Sequence, residues 1–379
     1  MIAKPVPRLL FCGLLMSLLL TSNNLLAGYV VEPDVPVRIG WQIPAATQGQ
    51  LVQVLKRTNV LEAHGLKPSL VPFSYGGPQV EAAFAGELDV FFSGDQPAID
   101  LIARSGKWKI VARLFDGRLA MIVPSGSPIQ AASDLKGKVV ASSFGSVPHR
   151  EAFRVQKAVG LDPNKEVLNQ NLDILEIGNR VQAGGKESWD GVDAAFVWEP
   201  ILSSFALQGL ARSIHPGRFV GVVAVSDDFI ERHPQAVNQL LVALMRSWEF
   251  FSLDPDRVMD WFIQDTSLGY SRNALIAARV DANFSANSLS EISMKLTPDY
   301  IATLERASVW AQDTGVGVVN VSTAVDTGLL AAAIEQIEKK YEDIRVILPT
   351  LTESSTASKK STFDLYHIPL IGIFAGMIF

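Results

Sequence analysis

The chain has 379 residues, 33 Lys and Arg against 39 Asp and Glu, and a formal net charge of −6. Acidic and basic residues are interspersed, so the basic block that would mark a nucleic-acid binder is missing. The single cysteine, Cys12, lies in the first apolar run, so the rest of the chain carries no disulfide and no thiolate chemistry.

Lys4 and Arg8 precede the apolar run Leu9–Leu20, and Leu25-Leu-Ala27 follows. A basic start, a short apolar core and a small residue before a cut after Ala27 read as a secretory signal over 1–27. The run is short for a membrane span. Cys12 does not mark a lipid anchor, because it sits inside the run with Phe11 before it. What remains after cleavage is long enough for two cores, since single cores stop growing at about 250–300 residues.

The first half alternates strand and helix patterns. Val37–Trp41 reads as a strand and Gln48–Ala63 as a helix, with Leu51, Val54, Leu55 and Leu61 at helical spacing. Ser69–Phe73 is a predicted strand, Pro78–Ala85 a helix, Leu88–Phe92 a strand and Gln96–Arg104 a helix. Lys109–Phe115 and Leu119–Val123 read as two strands. The same grammar continues with strands at Lys138–Ala141, Leu172–Glu176 and Ala194–Val197. Between and after them lie helices at Val147–Ala158, Asn179–Gly184 and Glu199–Leu207. Such alternation argues for an α/β chain of mostly parallel sheets flanked by helices.

From Asp227 onward the pattern is helical. Asp227 and Asp228 suit a helix start. Pro234–Phe251 carries Val237, Leu240, Leu241, Leu244 and Trp248 on one stripe. Met245, Phe250 and Trp261 read as core. Further helices are predicted near Asp254–Ile263, Asn273–Val280 and Pro298–Asp313. The Ser/Thr-rich stretch Thr350–Ser361 has linker composition. The apolar tail Leu365–Phe379 is shorter than the roughly 20 residues a span needs, and no function is assigned to it.

In open parallel sheets, ligands bind beyond the carboxyl ends of strands, so the loops that follow each strand are the candidate site. Gln42 and Pro44-Ala-Ala-Thr-Gln48 follow the first strand. Ser93-Gly-Asp-Gln-Pro97 follows Leu88–Phe92. After Lys138–Ala141 comes Ser142-Ser-Phe-Gly-Ser-Val-Pro-His149, a Ser/Gly loop entering a helix with Pro148 in its first turn. Free N–H groups and the positive end of a helix dipole suit a small anion there. Trp198-Glu-Pro200 follows Ala194–Val197. Ser143 and Ser146 are the leading ligand candidates. Asp95 reads equally as a cap for the following helix, Glu199 as a first-turn helix charge, Trp198 as core or cleft wall, and His149 as a structural ring. His64, His215, His233 and His367 have no metal spacing, and neither a Gly-x-Ser-x-Gly elbow nor a zinc-protease motif is present.

These pieces, in this order, resemble the periplasmic substrate-binding proteins of ABC importers for taurine, alkanesulfonates and nitrate, relatives of the pyrimidine-precursor-binding NMT1/THI5-like family. The resemblance spans roughly 36–320. It rests on Ile39-Gly-Trp-Gln42, Phe92-Ser-Gly-Asp-Gln-Pro97, Val123-Pro-Ser-Gly-Ser-Pro-Ile129, Asp134-Leu-Lys-Gly-Lys138 with its loop, Asp193-Ala-Ala-Phe-Val-Trp-Glu-Pro200 and Asp228-Phe-Ile-Glu-Arg-His-Pro234. It implies a two-lobed periplasmic-binding-protein fold of type II. Lobe 1 would comprise 36–123 and 213–348 and lobe 2 124–212, with crossings near Val123–Ser127 and Arg212–Phe219, and 349–379 would be linker and tail. It further implies a ligand-binding set of Gln42, Gly94, Asp95, Ser143, Ser146, His149, Trp198 and Glu199, with no catalytic residue, metal or cofactor. The implied partners are a small anionic or zwitterionic ligand, taurine- or sulfonate-like, and an ABC permease with its ATPase. The protein would be a periplasmic monomer that binds no nucleic acid. Phe144-Gly145 and Val147-Pro148 depart from the hydroxyl-rich loops of taurine binders. Two other readings stay open: a pyrimidine-precursor enzyme or binder, and a ligand-sensing module of a membrane receptor.

Overall fold

The computed structural model describes residues 35–340. The expected signal segment, Cys12, the linker and the apolar tail lie outside the described residues. Eight strands join in one ladder of order β2-β1-β3-β8-β4-β7-β5-β6. In chain order these are β1 Val35–Gln42, β2 Leu66–Phe73, β3 Val90–Gly94, β4 Trp108–Pro124, β5 Val139–Ser142, β6 Leu168–Asn171, β7 Ala194–Trp198 and β8 Ala211–Ser226. β1 is parallel to β2 and β3, and β5 is parallel to β6 and β7. Each parallel trio is completed by the antiparallel crossing strands β4 and β8, which pair from Trp108↔Ser226 to Pro124↔Ala211.

The helices fill the intervals. Around the first trio are α1 Ala46–Arg57, α2 Gly76–Phe84 and α3 Asp95–Ser105. Around the second are α4 Val147–Ala158, α5 Ile174–Gly184 and α6 Ile201–Leu207. The C-terminal part supplies α7 Asp227–Arg232, α8 Pro234–Leu253, α9 Pro255–Thr266, α10 Arg272–Ala277, α11 Pro298–Asp313, α12 Val321–Ala324 and α13 Gly328–Lys340. Among the described residues, no helix is long and apolar enough to cross a membrane.

Two lobes follow from where the apolar residues collect. One face of the first trio packs Val37, Ile39, Val111 and Phe115 with the α8 stripe of Val237, Leu240, Leu241, Leu244 and Trp248. Its other face packs Phe91, Ile110, Val220 and Val222 with α3 and α11. The second lobe gathers Leu119–Val123, Val140, Ala194–Trp198 and Phe205. The chain therefore changes cores inside β4, between Phe115 and Leu119, and returns inside β8, between Ile214 and Val220. This change of core comes a few residues before the division expected at 123/124. Leu119–Val123 pair with β7 and are fully buried in the second core.

Two further expectations change. Lys109–Phe115 and Leu119–Val123 are one strand, because Asp116-Gly-Arg118 stays paired with Phe219, Val220 and Arg218 instead of turning. The strand expected at Leu172–Glu176 lies earlier, at Leu168–Asn171. There Asp173 accepts the Leu175 N–H at 2.8 Å and starts α5, as an N-cap does.

Candidate functional site

The carboxyl ends of β1 and β3 face those of β5 and β7 across the junction of the lobes. A cavity of about 20 Å³ lies between them, lined by Gln42 and Gly94 from one side and Ser146 and Trp198 from the other. Phe115 and Phe219, where β4 and β8 cross, form its aromatic wall, and Pro97, Val147 and Pro148 complete its apolar part. No charged side chain lines it. A volume of this size holds one water-sized body, so the lobes are closed on each other.

Local chemistry explains the loop from β5 into α4. Gly145 has φ 75°, the left-handed region that a side chain disfavours. It turns the chain so that Ser146 precedes Val147 and Pro148 in the first turn of α4. The Ser143 hydroxyl donates to the Leu172 carbonyl at 2.9 Å, and the Ser146 hydroxyl donates to the Ser143 carbonyl. Both hydroxyl protons therefore brace the loop, and of the two only Ser146 reaches the cavity wall. A Cβ on Gly77 would lie 3.0 Å from the Phe144 carbonyl oxygen, so the loop before α2 and the loop before α4 meet backbone to backbone.

Gln42 is held in place by its own amide, whose Nε2 donates to Ser93 Oγ at 2.6 Å and to Gln79 Oε1 at 3.1 Å. Trp198 is buried, and its Nε1 has no partner. Among the lining side chains it is the one N–H or O–H donor left unspent.

Asp95, Ser143 and His149 do not line this cavity, and Glu199 lines a smaller adjoining one, of about 10 Å³, which shares Ala45, Phe115, Trp198 and Phe219 with it. Asp95 is fully buried. It accepts from Arg150 Nη1 at 2.6 Å and from the Val220 N–H at 3.1 Å. Arg150 Nη1 also donates to Gln96 Oε1 at 3.1 Å. Glu199 accepts from Arg118 Nε at 2.7 Å and from the Ser203 N–H at 3.0 Å, and so satisfies the start of α6. Both carboxylates are thus paired with arginines. His149 stacks on Phe144 at 4.1 Å, meets Phe153 and Trp310 edge-on, and accepts from the Gly145 N–H at 3.4 Å. Burial pushes its pKa down to about 4.

The residues that sequence reading missed are Arg118, Arg150, Phe115 and Phe219. Arg150 had a usable signal: it stands four residues after Ser146, on the same side of α4. Arg118 joins the lobes as well, since its Nη2 donates to the Ala277 carbonyl at 2.9 Å. Ser74 Oγ donates to Asp173 Oδ2 at 2.5 Å, and the Ala46 N–H donates to the Glu199 carbonyl at 3.2 Å. Among the described residues, no group of three or more His, Cys, Asp or Glu is placed to hold a metal ion.

Comparison with known proteins agrees with this arrangement. An Escherichia coli (strain K12) relative, named as an aliphatic sulfonates-binding protein, is 28% identical over 186 residues, spanning 48% of this chain and 54% of that one. The alkanesulfonate-binding protein SsuA from Xanthomonas axonopodis pv. citri, solved bound to MOPS, superposes with a TM-score of 0.62 at 21% identity. The match covers 78% of this chain and 99% of that one. The desulfurization enzyme DSZB gives 0.60 at 17% identity, covering 79% and 99%. At these identities the structural likeness establishes the periplasmic-binding-protein fold. The NMT1/THI5-like family model matches residues 62–258, just over half of the chain and both sides of the cleft, and the protein belongs to that family.

Proposed function

We propose that the protein is an extracytoplasmic solute-binding protein that captures a small organosulfonate-type anion between its lobes and delivers it to an ABC permease. In this reading it is a monomer, exported through its N-terminal signal, and has no catalytic activity. The observation that carries the reading is an uncharged, aromatic-walled cavity between facing strand ends, lined in part by Trp198, whose indole N–H is unspent among the described residues. A neutral donor, the first turn of α4 and apolar walls suit a sulfonate head on an apolar body. The name of the Escherichia coli relative supports the same class. Taurine fits less well than a plain alkanesulfonate, because Asp95 and Glu199 are already paired with Arg150 and Arg118. The reading as a binder and not an enzyme rests on the lining, which holds no His, Cys, Lys, Asp or Glu.

The lobes must part to admit any ligand of several heavy atoms, and contacts from both sides then favour reclosure. Titration calorimetry of the mature protein against an alkanesulfonate, taurine, nitrate, an aromatic carboxylate and a hydroxymethylpyrimidine tests the proposal. The alkanesulfonate is expected to bind most tightly. Trp198→Phe is expected to weaken it by about tenfold or more, the scale of a hydrogen bond to a charged group. Binding of the pyrimidine alone, or an unchanged affinity in Trp198→Phe, would overturn it.

A further inference from the structure

A second and larger cavity lies on the flank of the molecule, where α4 of the second lobe faces α11 of the first. Its volume is about 690 Å³. Trp310 and the exposed Val309 give it an apolar floor. Trp310 is fixed by edge contacts with His149 at 5.6 Å and Phe153 at 5.5 Å, and Lys157 Nζ stands 5.9 Å from its ring centre.

The rim is rich in cations. Arg154, Arg218 and Arg306 are exposed at its edge. Of the acids in the same lining, Glu151 is taken by Arg150 and Arg154, while Glu305 and Asp313 remain. The Arg218 side chain makes no hydrogen bond or ion pair among the described residues, although its charge acts on Asp116. Arg306 donates only to Thr303 Oγ1, at 2.8 Å. Arg150 lines the groove although its side chain is only 6% exposed. It spends Nε on Glu151 and Nη1 on Asp95 and Gln96, and Nη2 makes no hydrogen bond among the described residues. A nearly buried guanidinium with one unspent arm, two weakly engaged arginines and an aromatic floor share one groove.

We propose that this groove is a second ligand site, for an organic anion that carries two acidic groups on an aromatic plate. Guanidinium forks match sulfonate or carboxylate oxygens pairwise, and the exposed Val309 beside the buried Trp310 ring meets the plate. The occupant touches both lobes, so it binds the closed form alone and holds the molecule shut. The site is separate from the cleft cavity, with which it shares no lining residue.

Naphthalene-1,5-disulfonate is the probe, titrated into the mature full chain by calorimetry. One saturable site is expected. The double variant Arg218→Ala, Arg306→Ala is expected to weaken the probe by about tenfold while leaving alkanesulfonate binding in the cleft unchanged. Raising NaCl from about 0.01 M to about 0.15 M shortens the Debye length from about 30 to about 8 Å and weakens the probe further. Trp198→Phe, which tests the cleft, leaves probe affinity as it was. The groove is refuted if no saturable binding is seen, if the double variant binds the probe as the parent does, or if Trp198→Phe abolishes binding. Failure of the cleft proposal appears separately, as absence of alkanesulfonate binding in the parent.

Discussion

His149 is the residue for which the sequence leaves two readings, a structural ring and a ligand contact. As a ligand contact on the first turn of α4 it would titrate near neutrality. Packed between Phe144, Phe153 and Trp310, it is a neutral ring with a pKa pushed down to about 4 by burial. An unfolded histidine titrates near 6.5. The native ring therefore refuses a proton that the unfolded chain accepts. Its contribution to stability is full above about pH 6.5 and is lost progressively as the pH falls from there toward 4. Urea midpoints of His149→Phe should accordingly fall less between pH 7.5 and pH 5 than those of the parent; an equal fall in both would contradict the assignment. His64, also buried with a lowered pKa, keeps part of the slope in both proteins. Ligand affinity in the cleft should stay flat across the same range. The sequence identified the loop correctly as a helix entry, but it could not say that rings from that loop, α4 and α11 would surround this side chain.

At the scale of elements, the crossing strands hold the junction of the lobes. Phe219 covers Gly117 and Phe115 covers Gly221, and the two rings meet edge to face at 5.8 Å. A Cβ on Gly117 would come within 2.2 Å of the Phe219 ring, and one on Gly221 within 2.1 Å of Phe115. Gly117→Ala should therefore destabilise by about 1–3 kcal/mol, the cost of overpacking a filled site. A urea midpoint equal to the parent's would show that the rings yield freely. Local pattern located most elements within a few residues, and Val147–Ala158 and Pro298–Asp313 fall where periodicity and proline starts place them. It failed at Asp116-Gly117-Arg118, which has the composition of a turn. The pairing that keeps this stretch extended comes from β8, about a hundred positions along the chain, and Tyr300 on α11 adds a hydrogen bond to Asp116 at 2.9 Å.

Over the whole molecule, closure of the lobes is set by charge pairing across the cleft. Asp95 and Arg150 are both buried, and each is the other's counter-charge. Removing one partner of a buried pair leaves an uncompensated charge, which is strongly unfavourable. Opening the cleft relieves it by letting water reach the arginine. Ligand-free Asp95→Asn is therefore expected to shift toward the open form, seen as a larger radius of gyration in small-angle X-ray scattering than the parent shows. A radius identical to the parent's would mean that other contacts suffice to hold the lobes, among them Arg118 to Ala277 and Ser74 to Asp173.

The order of strands and helices and the polar loops at strand ends were legible in the sequence, because they depend on periodicity and on cap and turn residues that act within a few positions of one another. The two-lobed fold was legible through the family resemblance. Which side chains face the cleft was legible in part. Gln42, Gly94, Ser146 and Trp198 meet around one cavity, whereas Asp95 and Glu199 turn to arginines 55 and 81 positions away. A carboxylate in a loop is equally suited to a ligand and to an ion pair, and only the tertiary structure brings Arg150 and Arg118 to these two.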